Sequence, residues 1–137
     1  MDTLDRFVRA QQGSYNQALA ELRAGRKTGH WIWFVLPQLR GLGRSATAHE
    51  YGIAGRAEAE AYLTHPLLGA RLRECVQAVL AHTDRSAARM LGDVDAMKFR
   101  SCLTLFDAVS DSADNLFRQA LDAFYDGEPD AATLALL

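Results

Sequence analysis

The chain has 137 residues, of which 49% are apolar and 23% are charged, and its formal net charge is −2. This composition is typical of a globular domain and excludes an intrinsically disordered chain. The longest apolar run, Trp31–Leu36, is shorter than the roughly 20 residues of a membrane-spanning helix. The amino terminus has no basic segment followed by an apolar stretch, so we expect no signal peptide and a cytoplasmic location.

Helical periodicity dominates the first part of the chain. Apolar residues recur at spacings of three and four around Phe7 and again over Tyr15–Leu22, which predicts two helices separated near Gly13. Ser14 is placed to cap the second helix and Gly25 to end it.

Caps, glycines and apolar spacing predict further helices along the rest of the chain. They cover Ser45 to about Tyr51, Arg56–Leu63, Pro66–Leu80, Ser86–Leu91, Asp93 or Asp95 to Val109, and Ser112–Phe124. The helix that Asp93 or Asp95 caps bears Met97, Cys102 and Phe106, and the tail from Asp130 is expected to add one turn or fray. We therefore predict an all-α fold, a compact bundle of about seven helices that forms a single domain over residues 1–137.

The least ordinary segment is Arg26–Ser45, which contains both tryptophans, four cationic side chains, a histidine and a glycine loop. Its run Trp31–Leu36 is too short for helix and strand to be distinguished. The free N–H groups at a helix start after a glycine loop favour an anion, and histidine suits acid–base chemistry near neutral pH. The candidate ligand-binding residues are Lys27, Trp31, Trp33, Gln38, Gly41, Gly43 and Ser45, and the candidate catalytic residue is His30.

Each of these residues also has a structural interpretation. The tryptophans suit core packing, the glycines suit a tight turn, and His30 suits a structural hydrogen bond. The glycine loop matches neither the P-loop nor the dinucleotide-binding fingerprint.

A second polar cluster is predicted on the helix before Val109. Lys98, Ser101 and Thr104 follow steps of three, and Asp95 precedes Lys98 by three, which favours an ion pair. Lys98 and Ser101 join the ligand-binding candidates if this stripe lines a cleft. The alternative is that the stripe is the solvated side of an amphipathic helix.

Other chemistries lack a sequence signature. The four histidines are scattered, and Cys75 and Cys102 lie far apart among apolar neighbours. We therefore expect no metal site, no cofactor and two buried thiols. The basic residues alternate with acids after Ser45, so no dedicated nucleic-acid binding is expected.

Charge is nonetheless unevenly distributed. Residues 1–44 carry seven Lys or Arg and three acids, whereas residues 107–137 carry seven acids and one arginine. The split either polarises the surface or is cancelled across the fold.

The motifs His30-Trp31-x-Trp33-Phe34 and Gly41-Leu42-Gly43-x-Ser45 resemble a bacterial family of unknown function whose members are sometimes labelled calpastatin. The similarity extends from about Phe7 to about Phe124. It implies a compact, entirely helical domain and supplies no activity. A fainter similarity to the NADAR family, which is linked to ADP-ribose chemistry, rests on Met97-Lys98-Phe99 and the helical layout, and it serves only to choose ligands.

Two functional hypotheses follow. The first is a binder or enzyme that acts on a small phosphorylated or nucleotide-like metabolite of the ADP-ribose type. The second is a non-catalytic helical interaction module that associates with itself. The sequence leaves open whether the protein is an enzyme and what its oligomeric state is.

Overall fold

The computed structural model describes residues 3–137. Met1 and Asp2, which belong to the amino terminus for which no signal peptide is expected, lie outside the described residues. The described residues form ten helices and no strand. They are α1 Asp5–Gln12, α2 Tyr15–Arg23, α3 Ile32–Val35, α4 Ala46–Glu50, α5 Arg56–Thr64, α6 Leu68–Leu80, α7 Ala87–Leu91, α8 Asp93–Ala108, α9 Leu116–Tyr125 and α10 Ala131–Leu136. The all-α prediction is confirmed.

The predicted count of about seven helices is wrong. The two helices that the prediction leaves open, α3 and α10, have only four and six residues. Such short helices complete too few turns to show a clear apolar period, so they are held mainly by caps and packing. The undecided run after Trp31 is one of them, α3.

Side-chain caps explain several helix starts. Ser45, Ser86, Asn115 and Asp130 each accept a hydrogen bond from the backbone N–H three residues later. The predicted starts at Ser45 and Ser86 are thus confirmed, whereas the last long helix begins after Asn115 rather than at Ser112.

The start of α6 also differs from the prediction. Pro66 precedes the helix, which begins at Leu68, because the His65 ring takes the capping role. His65 Nδ1 accepts from the backbone N–H of Leu67 at 3.2 Å and of Leu68 at 3.1 Å.

Helix α8 lies at the centre of the core and packs against α5, α7, α9 and α10. Both cysteines are buried, as expected. A row of aromatic contacts crosses the interior, because Tyr62 contacts both Phe7 and Phe106, and Phe106 contacts Phe117, with ring centroids 5.3–5.7 Å apart. One connected apolar cluster therefore joins the two ends of the chain.

The segment after α3 is tied down by backbone pairing. Arg40 N–H donates to Ile53 O at 2.8 Å, and Ile53 N–H donates to Gln38 O at 2.9 Å. A Cβ at Gly52 would lie 2.7 Å from Arg40 Cα, so only glycine permits this approach. The pairing fixes the position of Gln38 and of the glycine loop that follows it.

None of the helices in residues 3–137 is long and apolar enough to cross a membrane.

Candidate functional site

A cleft of about 300 Å³ lies between α3, the loop after it, α8 and the start of α10. This volume is at the lower end of the range for small-molecule sites. Five of the ten residues predicted from sequence line it, namely Trp33, Gln38, Gly43, Lys98 and Ser101. The two polar segments singled out in the sequence, which lie about 60 residues apart in the chain, therefore meet in one cleft.

Lys98 and Trp33 form the most distinctive contact of the cleft. Lys98 Nζ lies 3.6 Å from the centroid of the Trp33 ring, a distance at which the ring quadrupole attracts the ammonium group. Nζ also lies 3.6 Å from Asp95 Oδ1, so the predicted ion pair is confirmed. The Lys98 side chain is 21% exposed, so its charge remains accessible from the cleft.

Asp95 binds a second cation more tightly. Lys27 Nζ lies 2.6 Å from Asp95 Oδ2, and the Lys27 side chain is only 6% exposed. Lys27 also donates to Gly29 O and lies 5.0 Å from the centroid of the Trp31 ring. One carboxylate therefore faces two ammonium groups, and the three side chains together carry a charge of about +1.

Trp31 is a core residue, 3% exposed, and it does not line the cleft. Its indole N–H donates to Glu21 Oε1 at 3.0 Å, and the same oxygen accepts from the N–H groups of Thr28 at 2.7 Å and Gly29 at 2.8 Å. Burial opposes ionisation of Glu21, but these hydrogen bonds, with one from Gln17, lower its pKa to about 2. Glu21 thus organises the segment that leads into α3.

Ser101 is 7% exposed and Thr104 is 1% exposed, so the interpretation of this stripe as a solvated face is wrong for both residues. Ser101 Oγ donates to Asp130 Oδ2 at 3.1 Å, and Thr104 Oγ1 accepts from Asp130 N–H at 2.8 Å. Asp130 also accepts from Thr133 N–H at 3.1 Å. These hydroxyl groups attach the start of α10 to α8, and Ser101 and Asp130 line the cleft.

The remaining predicted residues lie away from the lining. His30 is exposed and contacts none of the lining residues through a hydrogen bond or an ion pair. Gly41 is exposed and has a φ of 105°, where glycine is favoured. Ser45 is exposed, and its Oγ accepts from Ala48 N–H. Of the three predicted loop residues Gly41, Gly43 and Ser45, the structure therefore brings only Gly43 to the cleft.

Sequence reasoning missed the apolar rim of the cleft. Met97, an apolar residue of the predicted helix, is 72% exposed, and Val94 is 66% exposed. Both lie at the mouth of the cleft, with Leu42 opposite on the glycine loop. Their spacing of three on α8 was a usable signal, but an apolar pair on a helix is normally assigned to the core.

A larger groove of about 520 Å³ lies elsewhere, between α5, α6 and the loop before α9. Its charged lining residues are Glu60, Arg73 and Asp111, so it carries a net negative charge. None of the residues predicted from sequence lines it. We therefore place the candidate site in the smaller cleft, which combines an accessible ammonium group, an aromatic face and an apolar rim.

The histidine, cysteine and acidic side chains of residues 3–137 form no group of three or more that is suited to a metal ion.

Glu21→Gln should destabilise the protein at pH 7 by about 1–2 kcal/mol, because a carboxylate accepts these N–H groups more strongly than an amide does. Since folding lowers the pKa of Glu21 from 4.5 to about 2, its stabilising effect is present above pH 4.5 and is lost as the pH falls toward 2. Urea unfolding of both proteins at several pH values should show a difference that shrinks over this interval. Glu60→Gln, which removes an exposed carboxylate on α5, is the control. A difference that does not change between pH 6 and pH 2.5 would contradict this account.

Asp95→Asn should destabilise the protein by about 3 kcal/mol, because it leaves the buried Lys27 ammonium without its anion. Asp93→Asn, which removes an exposed carboxylate two residues earlier on α8, should have a much smaller effect. Chemical denaturation measures both. The double substitution Lys27→Met/Asp95→Asn should restore part of the lost stability. Equal destabilisation by Asp95→Asn and by the control Asp93→Asn would show that the buried pair is unimportant.

Comparison with known proteins places the chain in a family. The crystal structure of the conserved hypothetical protein Rv1873 from Mycobacterium tuberculosis is similar, with 49% sequence identity, a TM-score of 0.95, and coverage of 98% of this chain and 95% of that one. No curated protein matches the chain significantly. The family model described as "Protein of unknown function (DUF1810)" matches residues 1–137, which confirms the resemblance to an all-helical family of unknown function. The chain therefore belongs to the DUF1810 family.

Proposed function

We propose that the protein binds a small phosphorylated, nucleotide-like metabolite of the ADP-ribose type in the cleft between α3 and α8. The observation that carries this proposal is the Lys98 ammonium group held against the face of Trp33 at the edge of a 300 Å³ cleft. The ammonium group can bind a phosphate, and the Trp33 ring can stack with a base once Lys98 turns from the ring to that phosphate.

Electrostatics support an anionic ligand. Asp95 is bound more closely by Lys27, at 2.6 Å, than by Lys98, at 3.6 Å, so it neutralises Lys98 only in part. No hydrogen bond to a described residue uses the Lys98 ammonium group, which has three donors. An incoming phosphate would therefore gain donors without displacing an existing hydrogen bond.

The other charged residues of the lining are already engaged. The Arg100 guanidinium group donates to Glu128 O at 2.9 Å and to Pro129 O at 3.1 Å. Asp130 accepts from Ser101 and Thr133. Lys98 is therefore the group that we assign to the phosphate, and Gln38, which lies beside Trp33 and Gly43, is assigned to polar contacts with the sugar or base.

The proposal concerns binding. The single proton of the Ser101 hydroxyl group is shared between two acceptors, Asp130 Oδ2 at 3.1 Å and the Met97 carbonyl at 3.2 Å. His30, the candidate acid or base, is exposed outside the lining. A catalytic role for His30 would require a ligand that extends beyond the cleft toward α3.

Thermal unfolding with AMP, ADP-ribose, NAD and sugar phosphates tests the proposal. A ligand at about 100 times its dissociation constant adds roughly 2.7 kcal/mol, which should raise the midpoint by several degrees. Lys98→Met should weaken binding about tenfold or more, because a charge-assisted hydrogen bond contributes about 1.5–3 kcal/mol. Trp33→Leu should weaken the binding of nucleotides more than the binding of sugar phosphates, because only nucleotides have a base that stacks.

Arg73→Met is the matched control, since it removes a cation from the larger groove. It should leave the ligand-induced shift unchanged. A panel with no shift for the wild type, or equal shifts for the wild type and Lys98→Met, would overturn the proposed function.

A second candidate function, a self-associating interaction module, is favoured by the apolar side chains around the cleft. Val94 and Met97 on α8 and Leu134 and Leu136 on α10 are 48–72% exposed. Exposed apolar groups on two helices that pack together provide a surface for a second copy of the chain.

Internal pairing reduces the charge contribution to such an assembly. Arg118 lies 2.9 Å from Asp107 and 3.9 Å from Asp122, and Arg100 lies 3.6 Å from Glu128. Part of the acidic end is therefore neutralised within the fold.

Light scattering across a hundredfold range of concentration distinguishes the two functions. Self-association predicts a mass that rises with concentration and falls to the monomer value in Val94→Glu/Met97→Glu. A monomer at all concentrations would exclude self-association through this surface.

A further inference from the structure

A second concave site lies on the far side of Lys27, where three arginines gather around one glycine. A pocket of about 350 Å³ is lined by Gly25, Arg26, Arg85 and Arg89. Among the described residues, no carboxylate lies within ion-pair distance of any of these three guanidinium groups. The lining therefore carries a charge of about +3 with no compensating anion from the protein, whereas Arg6, Arg100 and Arg118 are each paired.

The backbone around this pocket is fixed. Gly25 ends α2 with a φ of 71°, and Arg26 N–H donates to Glu21 O at 3.0 Å. Lys27 N–H donates to Met90 O at 2.8 Å, which ties this segment to α7, the helix that carries Arg89. Arg26 thus lies in the segment after α2, Arg85 in the turn before α7, and Arg89 in α7 itself. Hydrogen bonds connect the segment after α2 to both the turn and α7.

Arg85 is the positioned member of the group. Its Nη1 donates to Ala24 O at 3.3 Å and to Gly25 O at 3.2 Å, so its guanidinium group lies against the backbone. A Cβ at Gly25 would lie 2.5 Å from this Nη1, so the close approach requires glycine. The Nε and Nη2 groups of Arg85 have no acceptor among the described residues, and they remain available to a ligand.

We propose that this pocket, the arginine pocket, binds the phosphate or pyrophosphate group of a small metabolite. Guanidinium groups match phosphate oxygens in a bidentate geometry, and a bound dianion would offset the repulsion among three like charges. The pocket is compact, and the basic residues after Ser45 alternate with acids along the sequence, which does not favour binding of a nucleic-acid backbone. A small phosphorylated molecule therefore suits it better than an RNA strand.

This site is separate from the cleft of the proposed function. None of the residues that line the arginine pocket lines the cleft. Lys27 connects the two sites. Its backbone N–H donates a hydrogen bond to Met90 O, next to Arg89, and its side chain forms an ion pair with Asp95, which also pairs with Lys98. The two sites are therefore distinguishable by substitution.

Calorimetric titration with inorganic pyrophosphate at constant ionic strength tests the proposal. Binding is expected, with an affinity that falls about tenfold in Arg89→Gln and about a hundredfold in Arg26→Gln/Arg89→Gln. Arg26 and Arg89 are exposed and donate no side-chain hydrogen bond to a described residue, so these variants should fold even if Arg85→Gln does not.

Arg73→Gln is the matched control, because Arg73 also donates from its guanidinium group to a backbone carbonyl, that of Leu63 at 3.1 Å. It should bind pyrophosphate as the wild type does. An absence of binding at millimolar pyrophosphate, or affinities that do not change in the arginine variants, would overturn the proposal. Tighter binding of a single-stranded oligonucleotide that competes with pyrophosphate and depends on the same arginines would replace it with a nucleic-acid site.

Discussion

The position of the site depends on one carboxylate, that of Glu21. Its Oε1 accepts three N–H groups, from the backbone of Thr28 and Gly29 and from the Trp31 indole. Without this acceptor, three donors at the edge of the core would lose their partner, and each loss costs free energy. The low pKa of Glu21, about 2, is the consequence of these bonds outweighing the effect of burial. Glu21 lies in α2, and the segment that it binds leads into α3, the helix that carries Trp33. This interaction therefore fixes where α3 begins.

Asp95 connects the buried core to the cleft, because it pairs with the buried Lys27 and with the cleft residue Lys98. It holds Lys27, whose side chain is almost completely buried, and it attracts Lys98, whose ammonium group contacts Trp33. An isolated buried ammonium group would be costly, so Asp95 is required for the fold. The same residue leaves Lys98 only partly neutralised. Stability and the proposed anion binding therefore depend on a single carboxylate, and the opposite roles of its two lysines follow from their different exposure.

Much of the fold was predictable because helix periods and caps are local signals. The caps at Ser45 and Ser86 and the glycine that ends α2 depend only on neighbouring residues. The short helices α3 and α10 were not countable from sequence, because a helix of four to six residues has too few apolar positions to show its period. Helix α6 begins at Leu68 and not at Pro66, and its first N–H groups donate to the His65 ring. This arrangement depends on side-chain geometry that a sequence pattern does not indicate.

The site was predictable in part. The sequence selected the two segments that meet in the cleft, but it did not separate Trp31 from Trp33. That distinction depends on Glu21, which is ten residues before Trp31, and on α8, which begins 60 residues after Trp33. Met97 stands among the apolar residues of α8, and the neighbouring helices leave it 72% exposed. Periodicity indicates which face of a helix is apolar, and only the tertiary arrangement shows what covers that face.

The two tryptophans provide the most direct test of the central claim that Trp33, and not Trp31, faces a ligand. The protein has two tryptophans, so a ¹⁵N-labelled sample gives two indole N–H signals, which Trp33→Phe assigns. Titration with AMP or ADP-ribose should shift the Trp33 signal and leave the Trp31 signal, whose N–H is bonded to Glu21, in place. Signals that both stay unmoved at saturating ligand, or a shift confined to Trp31, would contradict the assignment of the cleft as a nucleotide-binding site.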